Sequence, residues 1–289
     1  MAIPSFQSFS SKNVPSRTVR MTPSSSEKPI GVFDSGVGGL TVVAALQRLL
    51  PHEKIIYLGD TARVPYGGKS EETVTRYSRE IAELLLHKGA KMLVVACNTA
   101  SALAVPHLQK IYPTPLQGVI DPGATAAIQA THHGIIGVIG TKATVASGAY
   151  HKAIHRLNPD LTVISSPCPL LVPLIEEGLF NDEITRTVLR RYLEPMIDQN
   201  IDTLVLGCTH YPLLKDTIAE IVGSNVILVD SAENCALTVQ KFLASHHLMA
   251  PISNQGSLDV MLTDTSEGFL HLAVEALKLK MNSVKTVAL

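Results

Sequence analysis

Two segments of the 289-residue sequence are near copies of each other, and each brings a cysteine to the end of an apolar run. The segment at 91–99 is KMLVVACNT and the segment at 202–210 is DTLVLGCTH, so Cys97 and Cys208 take the same place in the two copies. A continuous apolar run bounded by polar residues is typical of a strand buried inside a parallel sheet. The copies therefore restrict the fold to one that contains two equivalent buried strands.

Other pairs of segments repeat at nearly the same distance. IGVFDS at 30–35 is echoed 106 positions later by IGVIGT at 136–141, and VID at 119–121 is echoed 109 positions later by LVD at 228–230. The two cysteines are 111 positions apart. Three near-equal offsets indicate an internal duplication.

Helical patterns alternate with the predicted strands, as in 71–87, where apolar residues recur every three or four positions. This alternation predicts an α/β fold with doubly wound parallel sheets. We predict two pseudo-symmetric domains of this type, the first spanning 29–121 plus 232–289 and the second 122–231. Ligands of such sheets bind beyond the carboxyl ends of the strands, so the active site is expected in the cleft between the domains.

Residues 1–28 differ in composition from the rest of the chain. They are rich in serine and contain basic residues, but no acidic residue precedes Glu27. This composition predicts a disordered N-terminal extension. A transit peptide for organellar import has a similar bias and is the alternative, and Met21 is an alternative start.

The composition excludes several classes of partner. Hydrophobic residues make up 46% of the chain and charged residues 17%, which supports a full globular core. A formal net charge of −1 gives no basis for binding nucleic acid or an anionic membrane. Four cysteines in a chain of this length do not form a typical disulfide framework, so a location in a reducing cytoplasm is expected.

The paired cysteines are the first candidates for catalysis. A free cysteine is often an inert buried side chain, but two copies in matching polar surroundings favour a chemical role. A zinc site is disfavoured because neither cysteine has a second ligand at the usual spacing. A thiol has a pKa of about 8.5, so one cysteine can act as a base and the other as an acid. Two opposed thiols suit the inversion of a stereocentre by proton transfer.

Three ionisable residues are candidate partners of the thiols. Asp34 follows a predicted strand and precedes a glycine-rich turn, where a capping carboxylate is the alternative. His210 lies two residues after Cys208 and titrates in a suitable range, although a histidine bonded to backbone at a helix start has the same sequence context. Glu176 is as consistent with a solvated helix face as with a site.

Neutral donors near the strand ends suit the carboxylates of a small ligand. They are Asn98, Thr99, Thr141, Thr144 and Thr209. The glycines at 36, 38 and 39 lack a full dinucleotide motif, and aromatic residues make up only 4% of the chain, so no cofactor or metal is expected. The remaining cysteines, Cys168 and Cys235, are interpreted as structural.

At these residues the chain resembles the aspartate/glutamate racemase family, and its glutamate racemases in particular. The matching segments are GVFDSGVGGLT at 31–41, GDTARVPYG at 59–67, ACNTA at 96–100, GVIGT at 137–141 and GCTHYPLL at 207–214. They extend over both halves of the chain. The long N-terminus and the segment after about 245 match no motif of the family.

The resemblance implies cofactor-independent racemisation of L-glutamate to D-glutamate for peptidoglycan biosynthesis. It implies that Cys97 removes the α-proton of D-glutamate while Cys208 protonates the opposite face, and that the roles reverse for L-glutamate. Asp34, His210 and Glu176 would assist the thiols. The implied substrate contacts are Asp34, Ser35, Tyr66, Gly67, Asn98, Thr99, Thr141, Thr209 and His210. A homodimer is the expected assembly.

Two other functions stay open on the sequence alone. The first is a racemase of the same superfamily that acts on aspartate or another amino acid. The second is a small-ligand binding protein built on the duplicated scaffold, without catalysis.

Overall fold

The computed structural model describes residues 25–264 and 277–289, whose strands form two parallel sheets. The strands of the first sheet are β1 (Ile30–Asp34), β2 (Lys54–Gly59), β3 (Met92–Val95), β4 (Leu116–Gly118), β9 (Ser257–Leu262) and β10 (Ser283–Thr286). Those of the second are β5 (Ile135–Gly140), β6 (Thr162–Pro167), β7 (Thr203–Gly207) and β8 (Ile227–Asp230). The spatial orders are β10-β9-β2-β1-β3-β4 and β6-β5-β7-β8. The predicted α/β class with two parallel sheets is confirmed.

Helices connect the strands and cover the faces of both sheets. They are α1 (Leu40–Leu49), α2 (Glu71–His87), α3 (Asn98–Leu103), α4 (Val105–Ile111), α5 (Ile120–Ala130), α6 (Lys142–Ala146), α7 (Ala149–Leu157), α8 (Leu171–Glu176), α9 (Glu183–Ile197), α10 (Lys215–Val222) and α11 (Ser231–Ser245). None of the helices in the described ranges has the length and apolarity required to cross a membrane.

The predicted duplication has a direct counterpart in the pairing of the strands. In the first sheet β1 lies between β2 and β3, and in the second β5 lies between β6 and β7, all in parallel register. Every residue of β3 and of β7 is buried, because helices pack on both faces of each sheet. The cysteine segments thus occupy equivalent places, each directly after a buried strand beside the central one.

The chain passes from the first sheet to the second between β4 and β5 and returns between β8 and β9. The predicted domain boundaries, 121/122 and 231/232, fall within α5 and α11, and these two helices contact each other. Helix α11 also packs on α1, and Cys235 is fully buried in the core between them. The two helices at the crossings therefore lie side by side.

The N-terminal extension predicted over 1–28 lies outside the described residues except for its last four. Of these, Ser26 offers its carbonyl oxygen to Lys91 Nζ at 2.7 Å. Lys91 is fully buried, forms an ion pair with Glu53 at 2.6 Å, and also donates to the carbonyl of Leu248. A buried charge is costly unless it is paired, and the contacts that satisfy Lys91 join four distant stretches of chain at the amino end of the first sheet.

Candidate active site

A cavity of about 440 Å³ lies at the carboxyl ends of the strands and is lined by both halves of the chain. Among its lining residues are eleven of the sequence-predicted ones: Ser35, Tyr66, Gly67, Cys97, Asn98, Thr99, Thr141, Glu176, Cys208, Thr209 and His210. The other two, Asp34 and Thr144, do not line the cavity. Asp34 lies beneath it and is fully buried.

Cys97 follows β3 and is the N-cap residue of α3. Its sulfur accepts a hydrogen bond from the backbone N–H of Ala100 at 3.4 Å, so the thiol also caps the helix. Its Sγ lies 3.6 Å from Ser35 Oγ. Burial, and then the nearby Asp34 carboxylate, raise the pKa of Cys97 to about 12. The surroundings of Cys97 therefore favour the neutral thiol.

Asp34 connects the two halves from below the cavity. Its Oδ1 accepts the backbone N–H of Gly36 at 2.9 Å, and its Oδ2 accepts the hydroxyl of Thr209 at 3.3 Å. Burial raises the pKa of Asp34, and the nearby His210 opposes that rise. The carboxyl group is thus prepared to hold a proton more readily than an exposed aspartate.

Cys208 is served by a different set of groups. His210 Nδ1 lies 3.8 Å from Cys208 Sγ, and His210 Nε2 lies 3.1 Å from Glu176 Oε1. Burial alone would lower the pKa of His210, but its hydrogen bonds to Cys208 and Glu176 outweigh burial and raise the pKa to about 10. The imidazole is therefore protonated at neutral pH. The side chain of Glu176 is 39% exposed, so the chain of three groups reaches solvent.

Three threonine hydroxyls from the two halves meet beside the cavity, and two of these residues, Thr99 and Thr141, line it. Thr99 Oγ1 lies 2.9 Å from Thr141 Oγ1 and 3.3 Å from Thr144 Oγ1, and the last two are 3.0 Å apart. Thr141 also caps α6 by accepting the N–H of Thr144. Rotatable hydroxyls of this kind can donate to a carboxylate, which fits the neutral donors expected from the sequence.

Tyr66 and Gly67 belong to a loop that lines the cavity, but the tyrosine hydroxyl points away from the cavity. That hydroxyl donates to the buried carboxylate of Asp60, and the Tyr66 side chain is 1% exposed. A Cβ added at Gly67 would lie 2.8 Å from Thr141 Cβ, so the loop backbone packs directly on the second half. The loop can therefore offer backbone groups, rather than the phenol, to a ligand.

Two features of the site were missed by the sequence interpretation. Cys168, interpreted as structural, lines the cavity and is fully buried. Asp60 is buried beneath the loop and accepts hydrogen bonds from Arg63 Nε at 2.7 Å, Thr263 Oγ1 at 2.9 Å and Tyr66. The only signal was the placement of Asp60 and Arg63 directly before the loop in the matching segment 59–67.

No group of three or more His, Cys, Asp or Glu side chains within residues 25–264 and 277–289 is arranged to hold a metal ion. Cys208, His210 and Glu176 are instead linked to one another through the two ring nitrogens of the imidazole. Of the thiols in the lining, Cys97 lies near a buried carboxyl group and Cys208 lies beside an imidazolium, and neutral donors line part of the same cavity. Such a site can exchange protons with a small polar ligand from two sides.

Comparisons with known proteins agree with this arrangement. A family model described as Asp/Glu/Hydantoin racemase matches residues 38–236. The glutamate racemase of Geobacter metallireducens is 51% identical over 262 residues, which cover 91% of this chain and 97% of that protein.

Solved structures of similar proteins give the same result. The Bacillus anthracis glutamate racemase isoform RacE1 has a TM-score of 0.88 at 41% identity, covering 91% of this chain and 98% of that one. The Francisella tularensis glutamate racemase, solved in complex with D-glutamate, has a TM-score of 0.85 at 38% identity with the same coverage. The chain belongs to the Asp/Glu/Hydantoin racemase family.

Proposed function

We propose that this protein interconverts L- and D-glutamate by a two-base proton transfer in which Cys97 and Cys208 act from opposite faces of the α-carbon. The observation that carries the proposal is that these two cysteines, from equivalent places in the two halves, line one cavity. Similarity over nine-tenths of the chain to glutamate racemases, one of them solved with D-glutamate, supports glutamate as the substrate.

In the direction from D-glutamate, Cys97 must lose its proton before it can accept the α-proton. Ser35 Oγ lies 3.6 Å from Cys97 Sγ and 3.5 Å from Asp34 Oδ1, which connects the thiol to a carboxyl group whose pKa is raised by burial. The substrate ammonium would stabilise the thiolate that forms, because an opposite charge favours an ionised acid. Asp34 then acts as the proton acceptor for Cys97.

On the opposite face, Cys208 delivers a proton to the α-carbon. The protonated His210, with Nδ1 3.8 Å from the sulfur, can restore the proton that Cys208 gives up. Glu176 holds the imidazole from its other nitrogen and links it to solvent. The same steps run in reverse for L-glutamate.

The α-proton of an amino acid is a very weak acid, so the charge that develops at the α-carboxylate needs stabilisation. Thr99, Thr141 and Asn98 line the cavity, and their hydroxyl and amide groups supply donors. The protonated His210 adds a positive charge on the side of Cys208, which suits a substrate with two carboxylates and one ammonium.

The proposal is tested by incubating L-glutamate with the full chain in D₂O, with a metal chelator and no added cofactor. We expect deuterium at the α-carbon and the appearance of D-glutamate, measured by NMR and optical rotation. Binding of glutamate without exchange would instead favour a ligand-binding protein. Faster turnover of L-aspartate in a panel of amino acids would favour an aspartate racemase.

The cellular setting follows from the same activity. D-glutamate is a component of peptidoglycan, so the protein would supply cell-wall synthesis in the bacterial cytoplasm. Four free cysteines, all buried, are compatible with a reducing compartment. A homodimer is the proposed assembly, which sedimentation of the purified chain would test.

A further inference from the structure

One tyrosine outside the cavity contacts the neighbours of both cysteines. Tyr150 follows the first residue of α7, and its side chain is 2% exposed. Its hydroxyl accepts a hydrogen bond from Asn98 Nδ2 at 2.9 Å, and Asn98 directly follows Cys97. Neither the sequence pattern nor the family motifs drew attention to this residue.

The ring of Tyr150 also packs against the backbone next to Cys208. A Cβ added at Gly207, the residue before Cys208, would lie 3.1 Å from Tyr150 Cε2. A Cβ added at Gly123 would lie 3.1 Å from the opposite ring edge, at Cε1. The ring therefore occupies a slot between two glycines, and any larger residue at either position would displace it.

The hydroxyl of Tyr150 has a third neighbour at the second crossing of the chain. It also interacts electrostatically with Ser231, the first residue of α11, whose hydroxyl opposes the rise that burial causes in the pKa of Tyr150. Ser231 in turn donates to the carbonyl of Leu206 at 3.1 Å, in the strand that leads to Cys208. Tyr150 is thus fixed from both halves of the molecule and from the segment that joins them.

The bond to Tyr150 determines how the amide of Asn98 is presented. With Nδ2 engaged by the phenol, the Asn98 Oδ1 atom is left without a hydrogen-bond partner among the described residues, although the side chain is 2% exposed. A buried oxygen without a hydrogen-bond partner lowers the stability of the fold. Its presence here is explained if a bound molecule donates a hydrogen bond to it. Asn98 lines the cavity, where the ammonium of an amino acid is a suitable donor.

We propose that Tyr150 is a positioning residue for the racemisation, which orients the Asn98 amide with its oxygen free for the substrate and sets the distance between the two cysteine-bearing strands. This inference rests on the proposed function, since it assigns Asn98 a contact with glutamate. Tyr150 itself does not touch the substrate.

The test is a double-mutant cycle on glutamate racemisation, using Tyr150→Phe, Asn98→Ala and the double variant in the full chain. Tyr150→Phe keeps the ring in its slot and removes only the hydroxyl. One hydrogen bond contributes about 1 kcal/mol, so we expect KM to rise about 5-fold while kcat changes less than about 2-fold. In the Asn98→Ala background the same substitution should leave KM unchanged, because the residue through which it acts is gone.

Tyr112→Phe is the matched control. Its hydroxyl also bonds one side chain, Glu83 at 3.0 Å, but it lies outside the cavity lining, so racemisation should match the wild type. A wild-type KM in Tyr150→Phe would overturn the role assigned to Tyr150. A KM in the double variant that rises by the product of the two single effects would also overturn it. Either result would leave the proposed racemisation standing. Failure of the wild-type chain to racemise glutamate would overturn the proposed function and this inference with it.

Discussion

The two halves of the molecule share a backbone plan and differ in the groups that serve their cysteines. In the half that contains Cys97, the Ser35 hydroxyl lies between the thiol and the buried carboxyl group of Asp34. The other donors of this half are neutral. The Cys208 half provides an imidazolium and a carboxylate that reaches solvent. The duplication therefore preserved the position of each thiol, while the side chains around it diverged.

This difference matters because the reaction itself is symmetric. L- and D-glutamate have equal free energies in water, so kcat/KM must be the same in both directions whatever the surroundings of each thiol. The different surroundings of the two thiols can only change how the activation free energy is divided between the proton transfers on the two faces of the α-carbon. Variants on either side should therefore change both directions equally in kcat/KM and differ in kcat and KM taken separately.

The largest expected effect comes from removing either thiol. Cys97→Ala and Cys208→Ala should each lower kcat/KM by about 10³-fold or more, since each deletes one proton-transfer group. Any residual α-proton exchange in D₂O should be confined to D-glutamate in Cys208→Ala and to L-glutamate in Cys97→Ala. Full racemisation in either variant would contradict the two-base proposal.

The second effect concerns stability and comes from His210. Its pKa in the folded protein, about 10, lies above the ordinary value of 6.5, so protonation stabilises the fold below pH 6.5 and this contribution is lost as pH rises through 10. The free energy of unfolding of the wild type, minus that of His210→Gln, should fall by about 4 kcal/mol between pH 6.5 and pH 10. Urea denaturation at the two pH values measures it.

His107→Gln is the control for this prediction. His107 also pairs with a glutamate, Glu71 at 2.8 Å, but both side chains are about half exposed. Because water screens such a pair, the substitution should change stability by less than about 1 kcal/mol at either pH. A His210 variant that behaves like this control would mean that the imidazolium is not held by its neighbours.

The third effect arises where the halves touch. Gly38, in the loop after β1, approaches the second half so closely that an added Cβ would lie 2.4 Å from His210 Nδ1 and 2.5 Å from Thr209 Oγ1. Gly38→Ala should displace the imidazole from Cys208 and lower kcat/KM about 10-fold, because small misplacements of proton-transfer groups are costly. An unchanged rate with an unchanged thermal unfolding temperature would show that the imidazole position is not critical.

The smallest effect is expected at the loop that contains Tyr66 and Gly67. Asp60→Asn weakens the hydrogen bonds that hold Arg63 and Tyr66, so KM should rise about 5-fold and stability should fall by about 1–3 kcal/mol. Thr263→Val removes only one donor to Asp60 and should have a smaller effect on both. A normal KM in Asp60→Asn would mean that the loop keeps its shape without this carboxylate.

The sequence predicted the parts of the fold that depend on local pattern. Buried strands, the duplication and the two cysteine positions all follow from apolar runs and their spacing. The pairing of β2 with β9 does not, because the partners are about 200 positions apart and nothing in either strand specifies the other. Long-range pairing depends on the packing of the whole sheet.

The sequence predicted site residues where a motif of the family includes the position. It did not predict features that depend on the direction in which a side chain points. Asp34 lies below the cavity, and the Tyr66 hydroxyl turns away toward Asp60. Cys168 lies in the cavity although its Pro-Cys-Pro context has no resemblance to the paired segments. Side-chain rotamers and contacts between distant elements determine these positions, and they cannot be predicted from the periodicity of the sequence.

The order of the strands in the two sheets also bears on how the chain is made. The second sheet uses one continuous stretch, from Ile135 to Asp230, and all its strands exist once that stretch has left the ribosome. The first sheet begins earlier in the sequence, yet β2 has no partner on one side until Ser257–Leu262 is synthesised. Domains generally fold as units during synthesis, so the later half of the duplication is the first that can be completed. The earlier half must keep an open sheet edge in the growing chain, and a chain that stops before residue 257 keeps that edge permanently.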